Sequence, residues 1–336
     1  MRIVGFPNSS ASAHWRIEAP FKYLNREGFE TVVWRDQITE EIIQWGDVFV
    51  LQGIVDKQAI ALLHAYQQEQ GKRIVVEQDD QIEVAEDNPH KREHEISDAA
   101  DVIKITMKIA DMVTTTNSYL ANKLRKYNKK VRVIHNFMDM EVWDLPKKRN
   151  TSDRLRIGWA GSITHLSDLA SIAPTILRIS REFKNLDFVF LGEPRAADLL
   201  PGLKAEYMLG VPFEAWPSRL HGLRLDIGLA PLRRTEFNRC KSNIKYLEYG
   251  IAQIPSVYSK TVYGVKNFDI RRRGMIARSV EEWYPCLKNM IICKHIREDI
   301  VDGAYANVRQ VYDLKHNIYQ WVDAFNSLTV PKTKVK

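Results

Sequence analysis

The chain is predicted to be an α/β protein built from two doubly wound domains. Three observations predict this: a length of 336 residues, short apolar runs alternating with helical patterns, and one proline- and charge-rich break near the middle. The length exceeds one ordinary core and suits two domains of about 150 residues each. Strands that alternate with helices imply right-handed βαβ units and parallel sheets.

In the first half, Arg2–Phe6 (RIVGF) has the composition of a buried strand, and Ile17–Arg26 has amphipathic spacing until Gly28 stops it. Further strands are expected at Glu30–Trp34, Asp47–Leu51, Arg73–Glu77, Met112–Thr115 and Val131–Ile134. Helical patterns at Ile38–Gln44, Lys57–Gln70, Ser97–Ala110 and Ser118–Tyr127 separate them. At Leu145–Asp153 (LPKKRNTSD) the pattern gives way to proline and charge, a linker composition. A new series follows, with strands at Leu155–Trp159, Asp187–Leu191, Asp226–Ala230 and Ser256–Tyr258 and helices near Leu166–Glu182, Trp216–Leu223 and Asn243–Tyr249. A last helix at Asn317–Leu328 carries Tyr319, Trp321, Val322 and Phe325. The expected division is residues 1–146, residues 153–312 and a terminal helix at 313–328.

Charge separates the halves. Residues 1–150 hold 21 Lys+Arg against 23 Asp+Glu, whereas the remainder holds 28 against 19. The basic second half is the one expected to handle phosphate, whether of a nucleotide, a nucleic acid or a membrane surface. Cys240, Cys286 and Cys293 form neither a metal-binding spacing nor a paired disulfide framework. The opening MRIVGFPNSS reads as a strand and turn, not as a signal peptide, and a cytoplasmic setting is expected.

Parallel sheets bind ligands at the carboxyl ends of their strands. Gly158–Leu169 (GWAGSITHLSDL) ends a strand in a small-residue turn that opens a helix. Gly161 and Ser162 there let backbone N–H groups approach an anion; the plain alternative is a capped tight turn. Asp226–Gly250 (DIGLAPLRRTEFNRCKSNIKYLEYG) is the stronger segment. It collects Arg233, Arg234, Arg239, Lys241 and Lys245 around a helix start near Ser242, an arrangement suited to a diphosphate. Glu248, farther along that helix, is placed to accept ribose hydroxyls, although a solvated glutamate is the commoner reading. Asp79 and Asp80 follow the fourth strand, either capping the next segment or hydrogen-bonding an acceptor hydroxyl or the sugar. His14 and Arg16, just past the first strand, are placed to reach the same region.

These residues carry a resemblance. DIGLAPL, FN, KS, KYLEYG and IPSV occur in the order typical of the donor site of GT-B glycosyltransferases, above all the retaining family 4 (glycosyl transferases group 1). ADMVTTTNSYLANKL and VRVIHNFMDMEVW are similar to that family's passage before the linker, so the resemblance spans about Ala110 to Ser259. It implies two Rossmann-like domains, an interdomain cleft and a C-terminal helix crossing back to the first domain. It implies donor-phosphate contacts by Gly161, Ser162, Lys241, Ser242 and Asn243, with His165, Arg234 and Lys245 in the same site. It places the donor ribose on Glu248 and the base near Gly192–Arg195. The implied donor is a nucleoside-diphosphate sugar, UDP favoured over GDP, with retention of configuration at the anomeric carbon. The chain departs from the family where a second glutamate would stand, at Cys240. It also lacks a histidine after the fourth strand, offering Asp79 and Asp80 there with His90 and His94 farther along.

Fixed basic groups and N–H donors can stabilise a leaving diphosphate unaided. No DxD-like pair follows a strand in the second half, so no obligatory metal is expected. The acceptor is expected to be a hydroxyl of a carbohydrate, a lipid-linked sugar or a small molecule, with peripheral membrane contact compatible. The basic run Lys123–Arg132 (KLRKYNKKVR) motivates an alternative, transfer to a modified DNA base. A non-catalytic nucleotide-sugar binder is the other alternative. A dinucleotide oxidoreductase is disfavoured, because Gly5–His14 lacks the G-x-G-x-x-G spacing.

Overall fold

The computed structural model describes residues 1–8, 12–83, 91–92, 97–263 and 273–328. His90 and His94 lie outside the described residues. The chain divides into two compact units. Unit 1 comprises Met1–Phe137, Cys240–Ser242 and Leu314–Lys336, and unit 2 comprises Met138–Arg239 and Asn243–Asp313. Among the described residues, no helix is long and apolar enough to cross a membrane.

Unit 1 holds β1 (Arg2–Phe6), β2 (Glu30–Val33), β3 (Val48–Gln52), β4 (Arg73–Glu77), β5 (Met112–Thr115) and β6 (Val131–Val133). They form one parallel sheet in the order β2-β1-β3-β4-β5-β6. Val4, Phe6, Phe49, Leu51, Ile74, Val76 and Val113 are buried in one core cluster, as apolar runs covered by helices must be. Lys57–Gln70 is capped by the Asp56 carboxylate, which accepts from the N–H groups of Gln58 and Ala59, and it stops at Gly71, whose φ of 69° is left-handed. The helix Tyr319–Asn326 buries Trp321 and Phe325, and the Phe325 ring packs against Phe29.

Unit 2 holds β7 (Leu155–Gly161), β8 (Leu186–Gly192), β9 (Ala205–Leu209), β10 (Ile227–Ala230), β11 (Ser256–Ser259) and β12 (Met275–Ala277). Its parallel sheet has the order β12-β11-β10-β7-β8-β9. Counted from β7, that is the 3-2-1-4-5-6 order of a dinucleotide-binding Rossmann sheet. The helices Ile244–Ile251 and Lys294–Val311 pack through Gly250, where an added Cβ would come within 2.8 Å of a Val308 methyl. Within this unit Met138 is bridged to Asp313, and its N–H donates to the Tyr312 carbonyl at 2.7 Å.

Several elements differ from the sequence expectation. The expected helix Leu166–Glu182 is two, Leu166–Ala170 and Ala173–Glu182, the second starting with Pro174 in its first turn, where a missing N–H costs nothing. Strands β9 and β12 are additional, as are the helices Trp283–Ile292 and Lys294–Val311. The packing of unit 2 begins at Met138, ahead of the Leu145–Asp153 break, because Trp143 is fully buried there against the Phe213 ring.

Candidate functional site

In a parallel sheet, a ligand crevice opens where neighbouring strands send their connections to opposite faces. The order places that switch between β1 and β3 in unit 1 and between β7 and β10 in unit 2.

In unit 2 the switch is held open by a side chain. The ladder between β7 and β10 registers Ile157 with Ile227, Gly158 with Gly228 and Trp159 with Leu229. Beyond it, the Tyr249 hydroxyl stands between the strands: it accepts from the Ala160 N–H at 3.2 Å and donates to the Leu229 carbonyl at 3.2 Å. Tyr249 is fully buried, and burial pushes its hydroxyl well above the ordinary tyrosine range, so it stays a neutral two-way partner.

The two loops flanking this switch are joined by Asp168, a residue not singled out from sequence. Asp168 is 2% exposed. Its Oδ1 accepts from the Arg233 N–H at 2.9 Å and from Asn238 Nδ2 at 2.7 Å, and its Oδ2 accepts from His165 Nδ1 at 2.9 Å. Such a carboxylate fixes the His165 tautomer and ties the loop after β7 to the loop after β10. Ser162 is exposed on the first loop, its hydroxyl 2.9 Å from that of Thr164. Arg234 is exposed on the second. The readable signal for Asp168 is its place three residues after His165 on the short helix Leu166–Ala170.

Glu248 is 4% exposed, not solvated. Its carboxylate accepts from the Trp216 indole N–H at 3.0 Å and from Lys245 Nζ at 2.5 Å, and that ammonium lies 5.1 Å from the centre of the Trp216 ring. Lys245 thus serves Glu248 in this structure. At the end of β8, Gly192 has a φ of 113°, and a Cβ there would meet the Gly161 carbonyl oxygen at 2.2 Å. Gly192 is therefore explained by close strand approach, whereas a Cβ on Gly161 would meet the Trp159 ring at 2.3 Å. In the turn that follows, Arg195 folds back onto the Glu193 carboxylate, which caps the short helix after it.

The remaining expected residues belong to unit 1. Arg16 is 1% exposed. Its guanidinium holds Glu77 through two bonds, of 2.8 Å and 3.1 Å, donates to the Ile134 carbonyl and to Asn136, and lies 5.0 Å from the Trp321 ring. Thr114 donates a further short hydrogen bond to Glu77. With these contacts made, Arg16 is a positioning residue that fastens the ends of β4 and β6 and the last helix. His14, on the turn preceding the first helix, has its Nδ1 3.5 Å from Glu18, and the His14 ring together with Arg35 holds the Glu18 carboxyl below its usual range. Ser242 accepts from Asn136 at 2.9 Å, and the carbonyls of Cys240 and Lys241 accept from Asn117. Asn243, already in unit 2, starts the helix Ile244–Ile251 without a side-chain capping bond, and its side chain is hydrogen-bonded to Tyr312.

Of the two aspartates, Asp80 is paired with Lys241 at 2.9 Å. Asp79 is different. Burial and the neighbouring Asp80 and Glu77 carboxyls push it up to about 6, against the pull of Arg16 and a hydrogen bond from Ser12. A carboxyl poised there can hold or release a proton near neutral pH.

No protein-family model matches the sequence, and no curated protein matches it either. Solved structures do match. A sucrose-phosphate synthase from Thermosynechococcus elongatus superposes with a TM-score of 0.71 at 8% identity, covering 98% of this chain and 99% of that one. HepE from Anabaena, solved with UDP and glucose, gives 0.69 at 11% identity over 97% and 100%. The lipopolysaccharide outer core galactosyltransferase WaaB gives 0.60 at 10% identity over 98% and 100%. At these identities the likeness establishes the fold. The chain has the GT-B architecture of two parallel α/β units, as the motif resemblance implied.

Proposed function

We propose that this protein is a glycosyltransferase that moves a sugar from a nucleoside-diphosphate sugar to an acceptor hydroxyl. One observation carries the reading: the segments resembling a family's donor site, Gly158–Leu169 and Asp226–Gly250, flank the switch point of a Rossmann-ordered sheet. Solved relatives of this fold hold UDP and UDP-glucose, which supports a uridine donor.

In this reading the N–H groups around Gly161 and Ser162, with His165 and Arg234, meet the diphosphate. Charge that develops on the leaving diphosphate as the anomeric bond breaks is met by groups already in place. Glu248, oriented by Trp216 and Lys245, accepts the ribose hydroxyls. Asp79 accepts the hydrogen bond of the attacking hydroxyl. Retention of configuration follows the motif resemblance. Metal independence is proposed because the basic loop supplies the positive charge that a cation would otherwise bring.

The test is a thermal-shift and transfer screen of the full chain against UDP, GDP, ADP and their sugars. A nucleotide at 100 times its dissociation constant should add about 2.7 kcal/mol of stability. The expected result is stabilisation by one diphosphate, lost in Glu248→Ala, with release of that diphosphate from its sugar only when an acceptor is present. Indifference to every nucleotide would overturn the proposal.

A further inference from the structure

At the unit 1 switch point, one buried acceptor is left over. Gln52, the last residue of β3, is 1% exposed. Its Nε2 donates to Ser12 Oγ at 3.0 Å, and the Ser12 hydroxyl in turn donates to Asp79. That chain has a direction. Because Ser12 gives its only proton to Asp79, it must receive from Gln52, which fixes which end of the amide is oxygen. The Oε1 oxygen then faces away from Ser12, buried and without a hydrogen-bond partner among the described residues. Buried carbonyl oxygens are normally paired, so an orphan beside a polar cluster marks the place of a missing donor.

The neighbouring groups narrow what that donor is. Glu77, the register partner of Gln52, is occupied by Arg16 and Thr114, and Asp80 by Lys241. Two acceptors remain, the Gln52 amide oxygen and the Asp79 carboxyl, joined through a single serine hydroxyl. Both lie at carboxyl ends of strands beside the switch between β1 and β3. Three clustered carboxyls disfavour an anion. Two acceptors linked through one serine hydroxyl suit a neutral ligand that presents O–H groups, which is the chemistry of a sugar.

We infer that Gln52 Oε1 and the Asp79 carboxyl form a subsite for two hydroxyl groups of a neutral sugar, the acceptor of the proposed transfer. The assignment deepens the transferase reading, and its test needs no donor.

The full chain is titrated by calorimetry and saturation-transfer NMR with the methyl glycosides of glucose, galactose and mannose and with N-acetylglucosamine. One of the four is expected to bind. Its dissociation constant should rise about tenfold in Gln52→Leu and in Asp79→Asn, the scale of one lost hydrogen bond. The affinity for UDP should not change in either variant. Mono-deoxy analogues read the same contacts on the unaltered protein: one analogue should bind about tenfold more weakly and lose nothing further in Gln52→Leu. If no glycoside binds while UDP does, this inference falls and the donor reading stands. If a glycoside binds equally well to Gln52→Leu, the inference falls too. Glycoside binding that depends on Gln52, with no response to any nucleotide, would keep the subsite and remove the transferase reading.

Discussion

The two switch points of this chain share parallel topology and differ in how they use carboxylates. In unit 2, Asp168 and Glu248 are buried and hold N–H donors, and they organise loops that present arginines and backbone amides. In unit 1, Glu77 and Asp80 are paired with Arg16 and Lys241, and Asp79 is left with its proton affinity raised. The same sheet geometry thus carries arginine-bearing loops at one switch point and clustered carboxyls at the other. Topology decides where a site lies. The partner of each buried carboxylate decides whether that residue is scaffold or chemistry.

The largest test of this contrast is Arg16→Met. It should cost unit 1 about 3–5 kcal/mol by leaving the Glu77 charge buried and unpaired, while Arg16→Met/Glu77→Met recovers most of the loss. Denaturant unfolding of the native protein and the two variants reads it; equal stability of the single and double variants would remove Arg16 from the scaffold. In unit 2, Asp168→Ala should cost about 2–3 kcal/mol through three orphaned donors and should raise the donor KM more than it lowers kcat. A fall in kcat with KM unchanged would assign Asp168 to the chemistry instead. Tyr249→Phe removes the hydroxyl between β7 and β10 and should cost about 1–2 kcal/mol. Faster exchange of the Ala160 amide would accompany it.

The effect at Asp79 has a definite sign. The Asp79 carboxyl lies at about 6 in the fold against an ordinary value of 3.8, so its contribution is fully present below 3.8 and is lost as pH rises through 6. Asp79→Asn does not ionise. It should therefore melt higher than the native protein at pH 8, with the gap closing by pH 4, even though transfer falls by about a hundredfold. A gap that is constant with pH would refute the raised proton affinity.

The sequence made much of this legible where physics is local. Buried parallel strands announce themselves as apolar runs, which is why ten of the twelve strands among the described residues could be placed. The two missed ones lie at the sheet edges: β9 is interrupted by Glu206, and β12 is only three residues long. The helix Lys294–Val311 was passed over because its buried positions, Ile300, Val301, Ala304 and Val308, form a narrow stripe among charges. At the sites, the positions of the loops were readable and the roles of side chains were not. Glu248 gave no sign of burial, because Trp216 stands 32 residues away. The contacts of Arg16 were equally illegible, because its partners Glu77 and Asn136 are 61 and 120 residues distant. Such pairings are set by the fold, and no local pattern encodes them.

The most direct measurement is hydrogen exchange of the full chain with and without saturating UDP, read by mass spectrometry. Slowed exchange is expected in peptides covering residues 161–170 and 231–249, and less of it in Glu248→Ala. Protection that avoids both segments, or none at all, would contradict the donor site and the function proposed from it.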